Sequence, residues 1–249
     1  MKDVWRKIKQ FAIRYYGDVI VGFVVLSTLM VLIYRIVPPP FTLLMASRTI
    51  VAEEGVLKYH WVNFKDISPY IKVCAMASED QNLPFHFGLD FQAIDKAINK
   101  NKKKRKIFGA STITQQVAKN VFLYPRRSYI RKGLEVYFTL LIETLWTKER
   151  ILEMYLNVAE MGELTFGVDA AAHKYFGKSA KKLSLAESSG IIAVLPNPRK
   201  YNVNSPGPYV SNRQSQIASL FYSLDGTNYL REIYVKSEKS LYDFRKYKK

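Results

Sequence analysis

Four stretches of this chain hold polar and charged residues at a density that a simple amphipathic helix does not need. The first runs Ser78-Glu79-Asp80-Gln81-Asn82-Leu83-Pro84-Phe85-His86-Phe87-Gly88-Leu89-Asp90. The second, from Gly109 to Asn120, contains Ser111, Thr112, Thr114, Gln115, Gln116, Lys119 and Asn120. Arg131-Lys132-Gly133-Leu134-Glu135 follows, and then the stretch from Lys148 to Asn157. Residues of these types do two kinds of work. A carboxylate accepts a proton from a reacting group, and Arg or Lys grips an anion. Each stretch also has a purely structural reading. Arg131 and Glu135, at i and i+4, suit a surface ion pair worth about 0.3–0.5 kcal/mol. Gln115-Gln116 suit an exposed helix face, and Glu79-Asp80 before Pro84 suit a helix end and turn.

Composition narrows the chemistry. The 249 residues carry a net charge of +17, which calls for an anionic partner: nucleic acid, anionic lipid or a phosphorylated substrate. With 48% hydrophobic residues the chain can build one globular domain and an appendage. The single cysteine, Cys74, excludes an intramolecular disulfide and any multi-cysteine zinc site. His60, His86 and His173 are too far apart in sequence to form a local metal motif.

The elements that must position these residues begin with an anchor. Val19 to Tyr34 is uncharged and strongly apolar, and extending it to Val37 nearly meets the ~20 helical residues that cross a bilayer core, with Arg35 reaching back to the interface. The run exits into Arg35-Ile36-Val37-Pro38-Pro39-Pro40, which offers no small-x-small cleavage site, so an uncleaved anchor is expected rather than a signal peptide. Lys2, Arg6, Lys7, Lys9 and Arg14 outnumber the two acids of the preceding tail. That bias places residues 1–18 in the cytoplasm, 19–37 in the cytoplasmic (inner) membrane, and 38–249 outside as a periplasmic or extracellular domain. This topology argues against nucleic acid as a partner.

Beyond the prolines, Phe41 to Pro69 shows no clean period, and a helical pattern starts at Ile71. Asp90 is a candidate cap for a helix from Phe91. Lys100 to Lys106 is a basic run, either a solvated loop or an attractor of lipid phosphates. Thr112 with Gln115 has capping-box spacing and predicts a helix from about Ile113 to Asn120. Ile130, Leu134, Tyr137, Phe138, Leu141 and Leu145 recur at helical spacing, followed by Ile151, Leu152 and Tyr155. Ser184 and Glu187 repeat the capping-box spacing before an apolar stretch that Pro196 and Pro198 close. The fold class is mainly α, with no second domain expected after Pro198.

In this order the stretches resemble glycosyltransferase family 51, the peptidoglycan glycosyltransferases. Glu79, Asp80, His86 and Gly88 match the family's first pattern, with Leu83 standing where phenylalanine is usual. Gly109 to Gln116 matches Gly-x-Ser-Thr-Ile-Thr-Gln-Gln. Arg131, Lys132 and Glu135 match Arg-Lys-x-x-Glu, and Lys148 to Asn157 matches the fourth pattern in full. Ala170, Ala171, Tyr175, Phe176, Leu183, Glu187, Leu195, Pro196 and Pro198 carry a fifth. The resemblance covers about residues 50–200. The short length and single anchor are similar to the monofunctional biosynthetic form. Ser179-Ala180-Lys181-Lys182 fits the Ser-x-x-Lys of penicillin-binding domains, but without a following Lys-Thr-Gly it reads as a helix boundary.

The resemblance implies a lysozyme-like glycosyltransferase domain behind one transmembrane helix. It also implies a reaction: a sugar hydroxyl of lipid II attacks the anomeric carbon of the growing lipid-linked chain and displaces undecaprenyl pyrophosphate, with inversion. Glu79 is then the general base. Lys119, Arg127, Arg131 and Lys132 hold the leaving pyrophosphate, which needs positive charge rather than a general acid. Glu135 either orients that cluster or acts on the sugar. Asp80, Ser111, Gln115, Gln116 and Asn120 are candidate substrate-binding residues. No cofactor is required; a divalent metal is compatible with the chemistry, as are partners in cell-wall synthesis or division. The rivals are a lysozyme-like glycan hydrolase or lytic transglycosylase, which must protonate a poor leaving group and has less need of a cation cluster, and a non-catalytic membrane scaffold.

Overall fold

A computed structural model describes residues 2–52, 54–103, 109, 111–126 and 128–238. The chain divides into two compact units, Met1–Pro38 and Pro39–Lys249. The first is one helix, α1 (Lys2–Ile36), 35 residues long. Its stretch Arg14–Ile36 has 23 residues at a mean hydropathy of 2.4, long and apolar enough to cross a membrane. Only 11% of that stretch is buried, so α1 is not the core helix of a globular domain, and it is consistent with a single-pass anchor. The helix stops where Pro38 removes a backbone donor, with Val37 N–H bonded to the Ile33 carbonyl at 2.8 Å.

The second unit opens with α2 (Leu43–Val51), which the sequence reading left without a period. The helix has nine residues, too few for a face to stand out. It exists because the Thr42 hydroxyl caps Met45 N–H at 3.2 Å, and because Leu44 and Met45 bury against Phe166. Three short strands are equally invisible to periodicity: β1 (Lys58–Tyr59), β2 (Glu160–Gly162) and β3 (Thr165–Phe166). They form one sheet in the order β1-β3-β2, with β1 parallel and β2 antiparallel to β3.

The helical framework follows the capping signals. α3 (Pro69–Glu79) starts behind Ser68 with proline in its first turn, and every residue from Ile71 to Ala77 is buried. It is the central helix. Asp90 Oδ1 accepts from Ala93 N–H at 2.8 Å and starts α4 (Phe91–Lys103). The basic run begins on α4, and its residues Lys104 to Lys106 lie outside the described residues. The Thr112–Gln115 capping box is complete and opens α5 (Ile113–Phe122), two residues longer than the pattern predicts. Ser128 caps α6 (Tyr129–Leu145) and Thr147 caps α7 (Lys148–Val158). α8 (Val168–Phe176) ends at left-handed Gly177, and a short 3-10 turn, Ala180–Lys182, occupies the Ser179-x-x-Lys boundary. The second capping box, Ser184–Glu187, opens α9 (Leu185–Ala193). After Pro198, α10 (Pro208–Ser223) packs on α9 and α3, and α11 (Leu230–Glu238) packs on α7, so the tail completes the same unit.

α6 shows where a pattern and its burial part company. Ile130 is 79% exposed, whereas Glu135, Phe138, Thr139, Ile142 and Glu143 are buried. Phe138 stacks on Phe122 of α5 at 4.8 Å, which locks the two helices together. The buried polar groups are paired: Thr139 Oγ1 donates to the Glu135 carbonyl, and Glu143 accepts from Thr114 at 2.6 Å and Lys148 at 2.7 Å. The inward face therefore reads as polar in sequence.

Candidate active site

A cleft of about 610 Å³ runs between the α5–α6 pair and the loop after α9. Glu79, Ser111, Gln115, Gln116, Lys119, Asn120, Arg131, Lys132 and Glu135 all line it. Residues drawn from α3, the segment before α5, α5 and α6 thus meet in one place because α5 packs against both α6 and α7. Arg127, the remaining member of the cation set, lies outside the described residues.

Glu79 ends α3 with both carboxylate oxygens engaged. Ser78 Oγ donates to Oε1 at 2.9 Å, and Gln116 Nε2 donates to Oε2 at 3.2 Å. Arg213, from α10, stands behind this pair. Its Nη2 donates to Ser78 Oγ at 2.8 Å and to the Ser78 carbonyl at 3.3 Å, and lies 3.9 Å from Glu79 Oε1. Sequence reasoning missed Arg213 because it sits outside every pattern, on a helix whose packing partner only the fold reveals.

Asp80, one residue on, turns away from Glu79's role. Its Oδ1 is bonded to His86 Nε2 at 2.8 Å, and its Oδ2 accepts from Ile113 N–H, the first residue of α5, at 2.9 Å. It borders a neighbouring cavity rather than the main cleft. The His-x-Gly spacing has a physical cause. His86 Nδ1 accepts from Gly88 N–H, so Nε2 carries the proton given to Asp80. Gly88 has φ +77°, and a Cβ there would stand 2.5 Å from Thr139 Cγ2 and 2.9 Å from Glu143 Cγ. Its carbonyl accepts from Thr112 Oγ1 at 2.6 Å. The turn after α3 is thereby clamped to the start of α5 and to α6, which sets Glu79 against Gln116. Lys148 Nζ extends the clamp by donating to the His86 carbonyl at 2.6 Å.

The cations gather around Glu135. Arg131 Nη1 donates to Glu135 Oε2 at 3.1 Å, and Lys132 Nζ pairs with Oε1. The Glu135 side chain is only 4% exposed, so this is no surface ion pair. Arg131 Nε is buried with no partner among the described residues. Lys119 is held below the usual lysine range, chiefly by burial; Arg131 and Lys132 lower it further, while Glu135 and Glu79 pull it back up. That list of neighbours places Lys119 within electrostatic reach of both glutamates.

Other polar residues in and around the cleft make internal bonds. Gln115 spends its carbonyl oxygen on the Thr112 N–H of the capping box. Asn157 is fully buried and exchanges two hydrogen bonds of 2.9 Å with the Val62 backbone. Tyr155 is buried against the cleft wall, and burial drives its hydroxyl well above the ordinary tyrosine range. Arg48, Glu160, Leu195, Pro196 and Pro198 also line the cleft. Among the described residues, no group of three or more His, Cys, Asp or Glu side chains is arranged to hold a metal ion.

The family described as Transglycosylase matches residues 47–221. Among curated proteins, the biosynthetic peptidoglycan transglycosylase of Pseudomonas fluorescens (strain SBW25) is 48% identical over 224 residues, 88% of this chain and 93% of that protein. The one from Bdellovibrio bacteriovorus is 45% identical over 221 residues, covering 87% of each chain. That of Xanthomonas campestris pv. campestris is 46% identical over 214 residues, 84% of this chain and 87% of the relative.

Proposed function

Because the chain belongs to the transglycosylase family and is a peptidoglycan glycosyltransferase that polymerises glycan strands, we propose that it builds them from lipid II, with Glu79 as general base and the Lys119–Arg131–Lys132 cluster as the pyrophosphate site. One observation carries this reading. A carboxylate fixed by Ser78 and Gln116 shares a single cleft with a cation cluster, and one guanidinium nitrogen of that cluster, Arg131 Nε, is buried without a partner among the described residues.

The chemistry fits the division. A sugar hydroxyl is a weak nucleophile and must lose its proton as it attacks, which suits Glu79. The attacked anomeric carbon inverts as the C–O bond to pyrophosphate breaks. The leaving group departs as an anion, so it needs charge and not a proton. Lys119, Arg131 and Lys132 supply that charge, and Arg127 belongs to the same reading by sequence. Both oxygens of Glu135 are taken by Arg131 and Lys132, which supports an orienting role for it rather than direct action on the sugar. Ser111, Gln116 and Asn120 are left to bind sugar and phosphate, while Asp80 holds the α3–α5 junction and Gln115 the first turn of α5.

The apolar α1 and its basic flank support a single-pass anchor in the cytoplasmic membrane, with residues 1–18 inside and 38–249 outside. Purified full-length protein incubated with lipid II in detergent tests the reading directly. Glycan strands and released undecaprenyl pyrophosphate are expected, and running the assay with and without chelator reads the need for a divalent metal. Cleavage of a finished glycan, and no product from lipid II, would replace it with the hydrolase reading.

A further inference from the structure

A second polar cluster lies in the same cleft, apart from the cations. Glu160 stands on β2, paired to Phe166 of β3, and its side chain is 7% exposed. Arg48 Nε, from α2, donates to Glu160 Oε2 at 2.9 Å. The other oxygen, Oε1, is buried with no hydrogen-bond partner among the described residues. Burial pushes the Glu160 carboxyl above its ordinary range against the pull of Arg48 and Arg199. The cations that act most strongly on Glu160 are Arg48 and Arg199, whereas Arg131 and Lys132 act on Lys119.

A buried carboxylate oxygen without a partner is costly, and at a cleft wall a hydrogen-bond donor on a bound ligand offsets that cost. The strand backbone and Arg48 together fix the group rigidly at the cleft wall. We propose that Glu160 is a recognition residue for the sugar substrate, its Oε1 accepting a hydrogen bond from an amide N–H of the glycan, which unlike a hydroxyl cannot turn to accept, while Arg48 holds the carboxylate through Oε2. This rests on the reading above that the glycan occupies this cleft. The competing role is structural: Glu160 merely ties α2 to β2.

The two roles order the variants differently. In Glu160→Gln, the Arg48 N–H claims the amide oxygen, so the NH₂ group takes the Oε1 position and a donor faces a donor. Glu160→Ala only removes the acceptor. Recognition therefore expects the KM for lipid II to rise roughly 10- to 100-fold in Glu160→Gln, at least as much as in Glu160→Ala, with kcat little changed. Thermal stability should show the reverse order, Ala falling further than Gln. Full-length protein in detergent is measured for KM, kcat and Tm. An unchanged KM in Glu160→Gln overturns the proposal even should Glu160→Ala fail to fold, and so does a KM order that follows the Tm order. Wild-type protein inactive on lipid II would instead remove the functional reading, and this inference with it.

Discussion

Glu79 enters the cleft already oriented, because Ser78 and Gln116 each hold one of its oxygens and Arg213 fixes Ser78 in turn. Such a carboxylate loses little freedom when a substrate hydroxyl arrives, which is what a general base requires. Glu79→Gln keeps the shape and removes proton acceptance. Its single-turnover rate with lipid II is expected to fall by ~10²–10⁴-fold while affinity stays close to wild type; near-normal turnover would refute the assignment. Glu135 makes a different prediction. Its two oxygens are spent on Arg131 and Lys132, so Glu135→Gln should behave like Arg131→Ala and Lys119→Ala, losing both lipid II affinity and turnover. A Glu135→Gln variant that binds normally but turns over as slowly as Glu79→Gln would move it onto the sugar.

Among the elements, α3 buries a lysine. Lys72 is 4% exposed within it, with Nζ 3.9 Å from the centre of the Phe64 ring. Burial lowers its pKa to about 8, although Glu149, Glu153 and Asp66 pull the other way. In the unfolded chain the group returns to its ordinary 10.5. Between those values the unfolded state binds more protons, so this lysine makes the fold more stable as pH rises through the window. Below about 8 its penalty is fully present. Melting temperatures of wild type and Lys72→Met compared across that range should converge or cross towards alkaline pH, the wild type gaining more. Parallel curves would mean that Lys72 is solvated in the fold. α6 adds a second lesson. Its buried face carries Glu135 and Glu143, tolerable only because Arg131, Lys132, Thr114 and Lys148 meet them there.

For the whole molecule, the apolar helix α1 and the unit that carries the candidate site are separable in chemistry. Every residue assigned to the site lies beyond Pro38, within the second unit. Deleting residues 1–40 should therefore leave lipid II polymerisation intact in detergent and slow it on membranes, the outcome expected of an α1 that concentrates enzyme beside substrate. A folded truncation with no activity in detergent would place part of the site in the first unit. A reporter active only outside the cytoplasm, fused after Lys249, should be active, and Met1 to Tyr34 should remain on the mature chain. A cleaved soluble product would remove the anchor.

The sequence by itself determined the order of motifs, the apolar span, the two capping boxes and the mainly α class. These are local: a cap needs only residues three apart, and a membrane span only a run of apolar ones. Glu79, Lys119 and Glu135 were legible as candidates because residue type and spacing survive in the linear chain. Tertiary structure alone decided their working relations. It turned Asp80 and Gln115 to internal bonds, brought Arg213 behind Ser78, and set Arg48 against Glu160 across 112 residues. Such pairings depend on packing between elements distant in sequence, and no periodicity along one element encodes which neighbour its polar groups will meet.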